Sequence, residues 1–193
     1  MSSRPLSLAA PRARSLGRDL AFGAFLALAY WAAVLVGLRW AVLPGFGTSV
    51  WPAAGIAFAG LVLGGSRLWP AVVVGRLAAA IALDTPLPLW ADFLVAVATM
   101  LGAWIPARLI ESTGKPLDRS LGSMHDMAWL ALGGGFGGAV ISATLGVGAL
   151  WLGGTPTENL PFAWLNWWFG FFVGTLTVGP LMLAWSAPGA FHM

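Results

Sequence analysis

The chain has 193 residues and a mass of 20.1 kDa; 59% of its residues are hydrophobic, only 9% are charged, and its mean hydropathy is +0.83. Soluble domains carry about 25% charged residues, so ten Lys+Arg and seven Asp+Glu are too few to clothe a water-facing surface, and the apolar content equally excludes a disordered chain. The composition is that of an integral membrane protein: a net charge of +3 with no basic stripe excludes nucleic acid as a partner, and zero cysteines and two histidines leave no thiol chemistry and no cysteine- or histidine-rich metal site.

Residues 1–19 read as a basic cytoplasmic tail, with Arg4, Arg12, Arg14 and Arg18 ahead of the first apolar run. That run, Leu20 to Leu38, is long enough for one crossing and longer than the apolar region of a cleaved signal peptide, which is about 7–15 residues. A loop rich in Pro and Gly, Leu43-Pro44-Gly45-Phe46-Gly47-Thr48-Ser49, introduces a second run, Trp51 to Gly65. Pro52 falls in its first helical turn, where a missing N–H costs nothing. Only Gly65-Ser66-Arg67 separates it from a third run, Leu68 to Leu83, which predicts a tight antiparallel hairpin; Asp84-Thr85-Pro86-Leu87-Pro88 then turns the chain again. A fourth helix is expected from Leu89 to Ile110, followed by a hydrophilic surface loop, Glu111 to Ser123, with Lys115, Asp118 and Arg119. The fifth, His125 to Leu152, carries Gly134, Gly138, Ser142 and Gly146 at four-residue spacing, a stripe against which another helix can pack closely. The sixth, Pro161 to Trp185, repeats that spacing with Gly170 and Gly174, and residues 186–193 form a short C-terminal tail.

The expected fold is therefore an all-α bundle of about six transmembrane helices spanning residues 20–185. Cytoplasmic loops hold the excess of Lys and Arg. With the amino terminus inside, that side collects Arg4, Arg12, Arg14, Arg18, Arg67, Arg108, Lys115 and Arg119, against Arg39 alone outside, so both termini are expected in the cytoplasm. Trp40, Trp51, Trp69, Trp90, Trp151 and Trp185 fit the aromatic belts at headgroup depth. The connecting segments are too short for a soluble domain.

Arg76 sits in mid-run, where a charge costs about 2.5–3.5 kcal/mol on insertion scales, and so needs protein, water or an acid. Asp92, about one turn into the fourth helix from the same side, is within reach of an extended arginine. Three readings stand side by side: an ion pair that pins the hairpin of helices three and four, a ligand- or proton-linked site, or an arginine that snorkels to a headgroup. Trp51, Ser142, Thr144, Asn166, Trp167 and Trp168 come to the same outer half and, with Arg76 and Asp92, make a candidate ligand-binding layer. Guanidinium, amide and indole groups suit an anionic or aromatic small molecule; the plainer account has Ser and Thr bonding their own backbone and Asn bonding across helices.

Enzyme chemistry finds little support. His125 and Asp126 open the fifth helix, where an acid suits the helix dipole, and His192 lies at the extreme end. Gly133-Gly134-Gly135 lacks the Lys-Ser/Thr of a phosphate loop, and no nucleophile, base and orienter fall together. No catalytic residue, metal or cofactor is expected.

Four segments carry a family resemblance: Ser49-Val50-Trp51-Pro52-Ala53-Ala54-Gly55-Ile56-Ala57; Gly65-Ser66-Arg67-Leu68-Trp69-Pro70; Ile141-Ser142-Ala143-Thr144-Leu145-Gly146; and Trp167-Trp168-Phe169-Gly170 with Gly174 and Pro180-Leu181. In order and spacing they resemble the first type of MASE domain, the membrane-associated sensor domain of bacteria, over about Leu20 to Trp185. The resemblance implies a multi-pass input module of the bacterial inner membrane, usually joined to cytoplasmic diguanylate cyclase, phosphodiesterase or histidine kinase domains whose activity it adjusts. Family members continue with further membrane helices beyond the Pro180-Leu181 region, so this chain resembles a shortened or stand-alone member. The family pattern also has Gly-Asp after the paired tryptophans, whereas Gly170 here is followed by Phe171; the lost acid weighs against a shared ligand or ion site and for a scaffold or protein-binding role.

The expected function is a non-enzymatic sensory module that passes a signal to a separate cytoplasmic or membrane protein, with the lipid bilayer and a small-molecule ligand as further partners. The alternatives are a structural or assembly subunit of a larger membrane complex, favoured by the small-residue faces and Phe171, and a small-solute transporter. The transporter reading rests on Arg76 and Asp92 alone and lacks the inverted pair of broken helices usual in that class.

Overall fold

The computed structural model describes residues 16–39, 50–115 and 117–187. The tail arginines Arg4, Arg12 and Arg14, the loop Leu43 to Ser49, Trp40 and the terminal His192-Met193 lie outside the described residues. The elements are α1 (Leu16–Arg39), α2 (Pro52–Gly64), a 3-10 turn (Ser66–Leu68), α3 (Trp69–Leu83) and α4 (Leu89–Ser112). They continue with α5 (Met124–Ala128), a π-helical segment (Trp129–Gly137), α6 (Gly138–Leu152), a second 3-10 turn (Thr157–Asn159) and α7 (Leu160–Trp185). The fold is an all-helical membrane bundle, with no strand among the described residues.

Helix α1 starts at Leu16, earlier than its apolar run, so Arg18 and Asp19 belong to its first turn rather than to the tail. An acid there complements the positive end of the helix dipole, and Asp19 accepts a 2.7 Å bond from Arg67 Nη2.

Five helical stretches are long and apolar enough to cross a bilayer: Leu16–Arg39, Ser66–Leu83, Leu89–Ser112, Met124–Leu152 and Thr157–Trp185. The second run differs. With 13 residues, α2 rises only about 20 Å, short of the roughly 30 Å hydrocarbon core. The reason is its position: Ala53, Ala54, Gly55, Ala57, Phe58, Ala59, Gly60, Leu61 and Gly64 are all buried, and α1, α4 and α7 pack around it. A helix apolar on every side is one surrounded by protein.

Polar contacts fix which helix ends share a face. Arg67 reaches Asp19 at the start of α1; the Ser66 N–H and Oγ each donate to the Glu111 carboxylate at 2.6 Å; and Arg119 Nη1 donates to the Ser186 carbonyl at 3.1 Å. The start of α1, the α2–α3 turn, the end of α4 and the end of α7 therefore meet at one end of the bundle. Arg18, Arg67, Arg108, Lys115 and Arg119 cluster there, while Arg39 ends α1 at the other.

Close helix crossings are built on small residues. A Cβ on Gly138 would collide with the Gly102 carbonyl and one on Gly102 would meet the Gly138 carbonyl at 2.7 Å, so α4 and α6 touch backbone to backbone. Likewise a Cβ on Gly174 would strike the Trp51 carbonyl, and one on Gly55 the Gly174 carbonyl, which brings α2 against α7.

Inside the expected fifth helix, Trp129–Gly137 takes π-helical geometry. Four of its nine residues are glycine, and the wider turn meets no Cβ penalty there. Gly134 receives the Phe58 ring, which a Cβ would meet at 2.7 Å, and Gly135 faces Phe172 and Leu176. π-helical turns are common at functional sites.

Candidate functional site

Arg76 and Asp92 are brought together by the α3–α4 hairpin. Arg76 lies seven positions before the last residue of α3, Leu83, and Asp92 three positions after the first residue of α4, Leu89, so both side chains lie near the end opposite the basic face. Arg76 Nη2 donates to Asp92 Oδ1 at 3.1 Å, with side chains only 7% and 3% exposed. Thr85, in the intervening turn, donates from Oγ1 to the second Asp92 oxygen. The carboxylate is thus engaged on both oxygens, while the buried Nη1 of Arg76 has no hydrogen-bond partner among the described residues.

Tyr30 of α1 completes this cluster. It is fully buried beside Thr99 and Trp51, and its ring lies against Gly75 of α3, next to Arg76. Thr99 itself donates to the carbonyls of Val95 and Ala96. Trp51 precedes Pro52, donates its N–H to the Gly170 carbonyl at 3.0 Å, and lays its ring on Gly37 of α1. It thereby joins the Tyr30 and Arg76 side of the bundle to α7.

The other layer residues occupy the α6–α7 seam. Trp167 Nε1 donates to Ser142 Oγ at 3.1 Å and Trp164 Nε1 to Thr144 Oγ1 at 3.1 Å. Trp168 stacks between Trp164 and Phe172, with interplanar angles of 3° and 5° and Phe136 edge-on, and its own buried Nε1 has no hydrogen-bond partner among the described residues. Asn166 is half-buried on the same helix. Trp51, Trp167 and Trp168 all flank one buried cluster of Ala54, Ala139 and Phe171. The predicted layer is thus two polar groups, one around Arg76 and one along α6–α7, with Trp51 reaching both.

The stripe Gly134, Gly138, Ser142 and Gly146 is a packing face, and it serves several partners: Phe58 of α2, Gly102 of α4, and Trp167 of α7 against both Ser142 and Gly146. Phe171 is 1% exposed and presses its ring edge on Gly102 and Gly138. Phe171 therefore caps the α4–α6 crossing. Gly170 and Gly174 give α7 its contact with Trp51.

At the basic end, Ser123 caps α5: its Oγ accepts from the Asp126 N–H at 3.1 Å and donates to Asp126 Oδ2 at 2.5 Å. His125 Nε2 accepts from Trp129 Nε1. In the loop, side-chain and backbone hydrogen bonds from Ser120 hold the Asp118 carboxyl below the usual aspartate value. No group of three or more His, Cys, Asp or Glu able to hold a metal occurs among the described residues.

Tyr30, Thr85, Thr99 and Gly102 were not singled out by sequence reasoning. Tyr30 had a signal, as the chain's single tyrosine in an otherwise apolar helix; Gly102 had none, being an isolated glycine.

These features define a helical membrane domain with a buried charge pair near one end and a basic network at the other. The MASE1 family model matches residues 22–189, nearly the whole chain, and the chain belongs to this family of membrane-associated sensory domains, which is not a catalytic family. No curated protein and no solved structure is significantly similar to it.

Proposed function

We propose that this membrane sensory domain is a non-enzymatic, multi-pass input module of the bacterial inner membrane, with both termini in the cytoplasm. It takes up a small ligand at the buried cluster around Arg76 and hands the resulting helix movement to a separate cytoplasmic or membrane partner. The observation that carries the reading is the Arg76–Asp92 pair, in which a guanidinium enclosed in the bundle has no partner for Nη1 among the described residues. A ligand shifts such a module only by binding its two states with different affinity. An acceptor that bonds Nη1 in one arrangement of α3 and α4 and not in the other supplies that difference. Trp51, Thr144, Asn166, Trp167 and Trp168 are the further side chains proposed for this layer.

The test is a mild-detergent pull-down of the tagged chain from its native membrane, followed by mass spectrometry of stoichiometric partners. Recovery of a cyclase, phosphodiesterase or kinase that is lost with Arg76→Ala supports the reading, whereas a fixed set of membrane-complex subunits, retained in that variant, refutes it. The second outcome is the structural-subunit alternative, and Phe171 favours it: a fully buried phenyl closing the α4–α6 crossing strengthens packing where an acid would offer a ligand site.

A further inference from the structure

A groove of about 550 Å³ opens at the basic end, between the α2–α3 turn and the last turns of α4. Its walls include Arg67, Arg108, Trp69, Trp104, Ser66 and Glu111. We propose that it binds the phosphate-bearing headgroup of an anionic phospholipid.

The placement of these side chains follows from the helices that carry them. Trp104 and Arg108 are four residues apart on α4, so they share one helix face, with the indole a turn deeper in the bundle and the guanidinium nearer its end. Trp69 opens α3, directly after Arg67 and Leu68 of the turn. The groove therefore has two indoles on its membrane side and two guanidinium groups on its water side. That order matches an amphiphile lying across the interface, since indoles favour headgroup depth and arginines carry their charge outward.

The charges retain binding capacity. Arg67 uses Nη2 on Asp19, and Arg108 Nη1 lies 3.5 Å from Glu111, yet their side chains remain 55% and 56% exposed. A guanidinium has five N–H donors in a fork that fits phosphate oxygens, so most donors on each remain for a headgroup. The acid in the groove is already engaged, because both Glu111 oxygens accept bonds from Ser66. A phosphate seated between Arg67 and Arg108 would bridge the α2–α3 turn to α4. Inorganic phosphate offers the same anionic chemistry to the arginines, but gives the two indoles nothing to pack against.

The experiment uses the full chain, delipidated in mild detergent. Thermal shift and native mass spectrometry are followed during titration with phosphatidylglycerol, phosphatidylcholine of the same acyl chains, or inorganic phosphate. Phosphatidylglycerol is expected to stabilise the chain and leave a one-lipid adduct, with apparent affinity at least about tenfold above phosphatidylcholine. Arg67→Gln with Arg108→Gln should abolish that preference, while Arg39→Gln, at the opposite end, should retain it. Hydrogen exchange on the unmodified chain supplies a measurement independent of variant folding: phosphatidylglycerol should protect residues 64–69 and 104–112 more than phosphatidylcholine does. Equal binding of the two lipids, an equal response to inorganic phosphate, or protection elsewhere in the chain would each overturn the proposal.

Discussion

Breaking the Arg76–Asp92 pair is the sharpest perturbation available. The charged atoms are 3.1 Å apart with both side chains almost wholly enclosed. Two unit charges about 4 Å apart interact by about 4 kcal/mol at the effective dielectric of protein sites, and removing one member of a buried pair costs about 3–5 kcal/mol because it strands the other. Among the described residues, Arg76→Ala leaves the carboxylate with its Thr85 bond, and Asp92→Ala leaves a guanidinium without its acid whose Nη1 already lacks a partner. Each single change should therefore lower stability by about 3–5 kcal/mol, a fall of roughly 6–20 °C in Tm for a chain of this size class. The double change removes both charges together and should cost less than the sum of the singles by about 1–3 kcal/mol. The assay is equilibrium unfolding in mixed micelles across the four-protein cycle. Additivity within about 0.5 kcal/mol would show that the charges do not stabilise one another, and the buried-pair argument would fail.

The remaining predictions concern packing and the loop. Gly138→Ala places a methyl against the Gly102 carbonyl, whereas Gly148→Ala adds one where nothing lies within 4 Å. The first should destabilise by about 1–3 kcal/mol and the second should be neutral or stabilise by up to about 1 kcal/mol, read by the same unfolding assay; equal effects would refute the crossing. Asp118 should titrate below an ordinary aspartate in NMR of the labelled chain, and Ser120→Ala should bring it part of the way back up, since the hydroxyl bond is the larger cause of the shift while the backbone N–H of residue 120 still donates. The sign follows from the depressed value. The contribution is fully present above the unfolded-state pKa and is lost as pH falls through the folded one, so a Ser120→Ala chain whose Asp118 titrates unchanged would contradict the assignment.

The bundle was legible because its apolar runs are punctuated by Pro, Gly and charged turns, and Arg76 and Asp92 stood out because charges in such runs are costly. Other features left no periodic trace. Trp129–Gly137 has the same apolar and glycine-rich composition whether its backbone bonds reach four residues or five, and Phe58, which inserts against Gly134, lies far away in sequence. The shortness of α2 was likewise hidden: Trp51 to Gly65 reads as a span by hydropathy, and only packing shows that protein surrounds it. The small-residue stripe announced close approach without naming its partners, which come from three helices.

Gly102 shows why such a residue matters despite its plain sequence context. It lies four residues before Pro106, which has no N–H, so the Gly102 carbonyl loses the helical bond that any other residue at position 106 would donate. That carbonyl lies where a Cβ on Gly138 would clash, so the carbonyl left without its helical donor is the one that the α6 backbone packs against. The backbone contact between α4 and α6 and the interrupted hydrogen-bond ladder of α4 are therefore the same feature. Helix α4 carries Asp92 on one side of this point and Glu111, bonded to Ser66, on the other. A helix with a missing internal bond bends there more easily than elsewhere. In the proposed signalling scheme, a ligand that bonds Arg76 Nη1 shifts α3 against α4, and the contact of Gly102 with Gly138 and Phe171 sets how much of that movement passes Pro106 to the basic end.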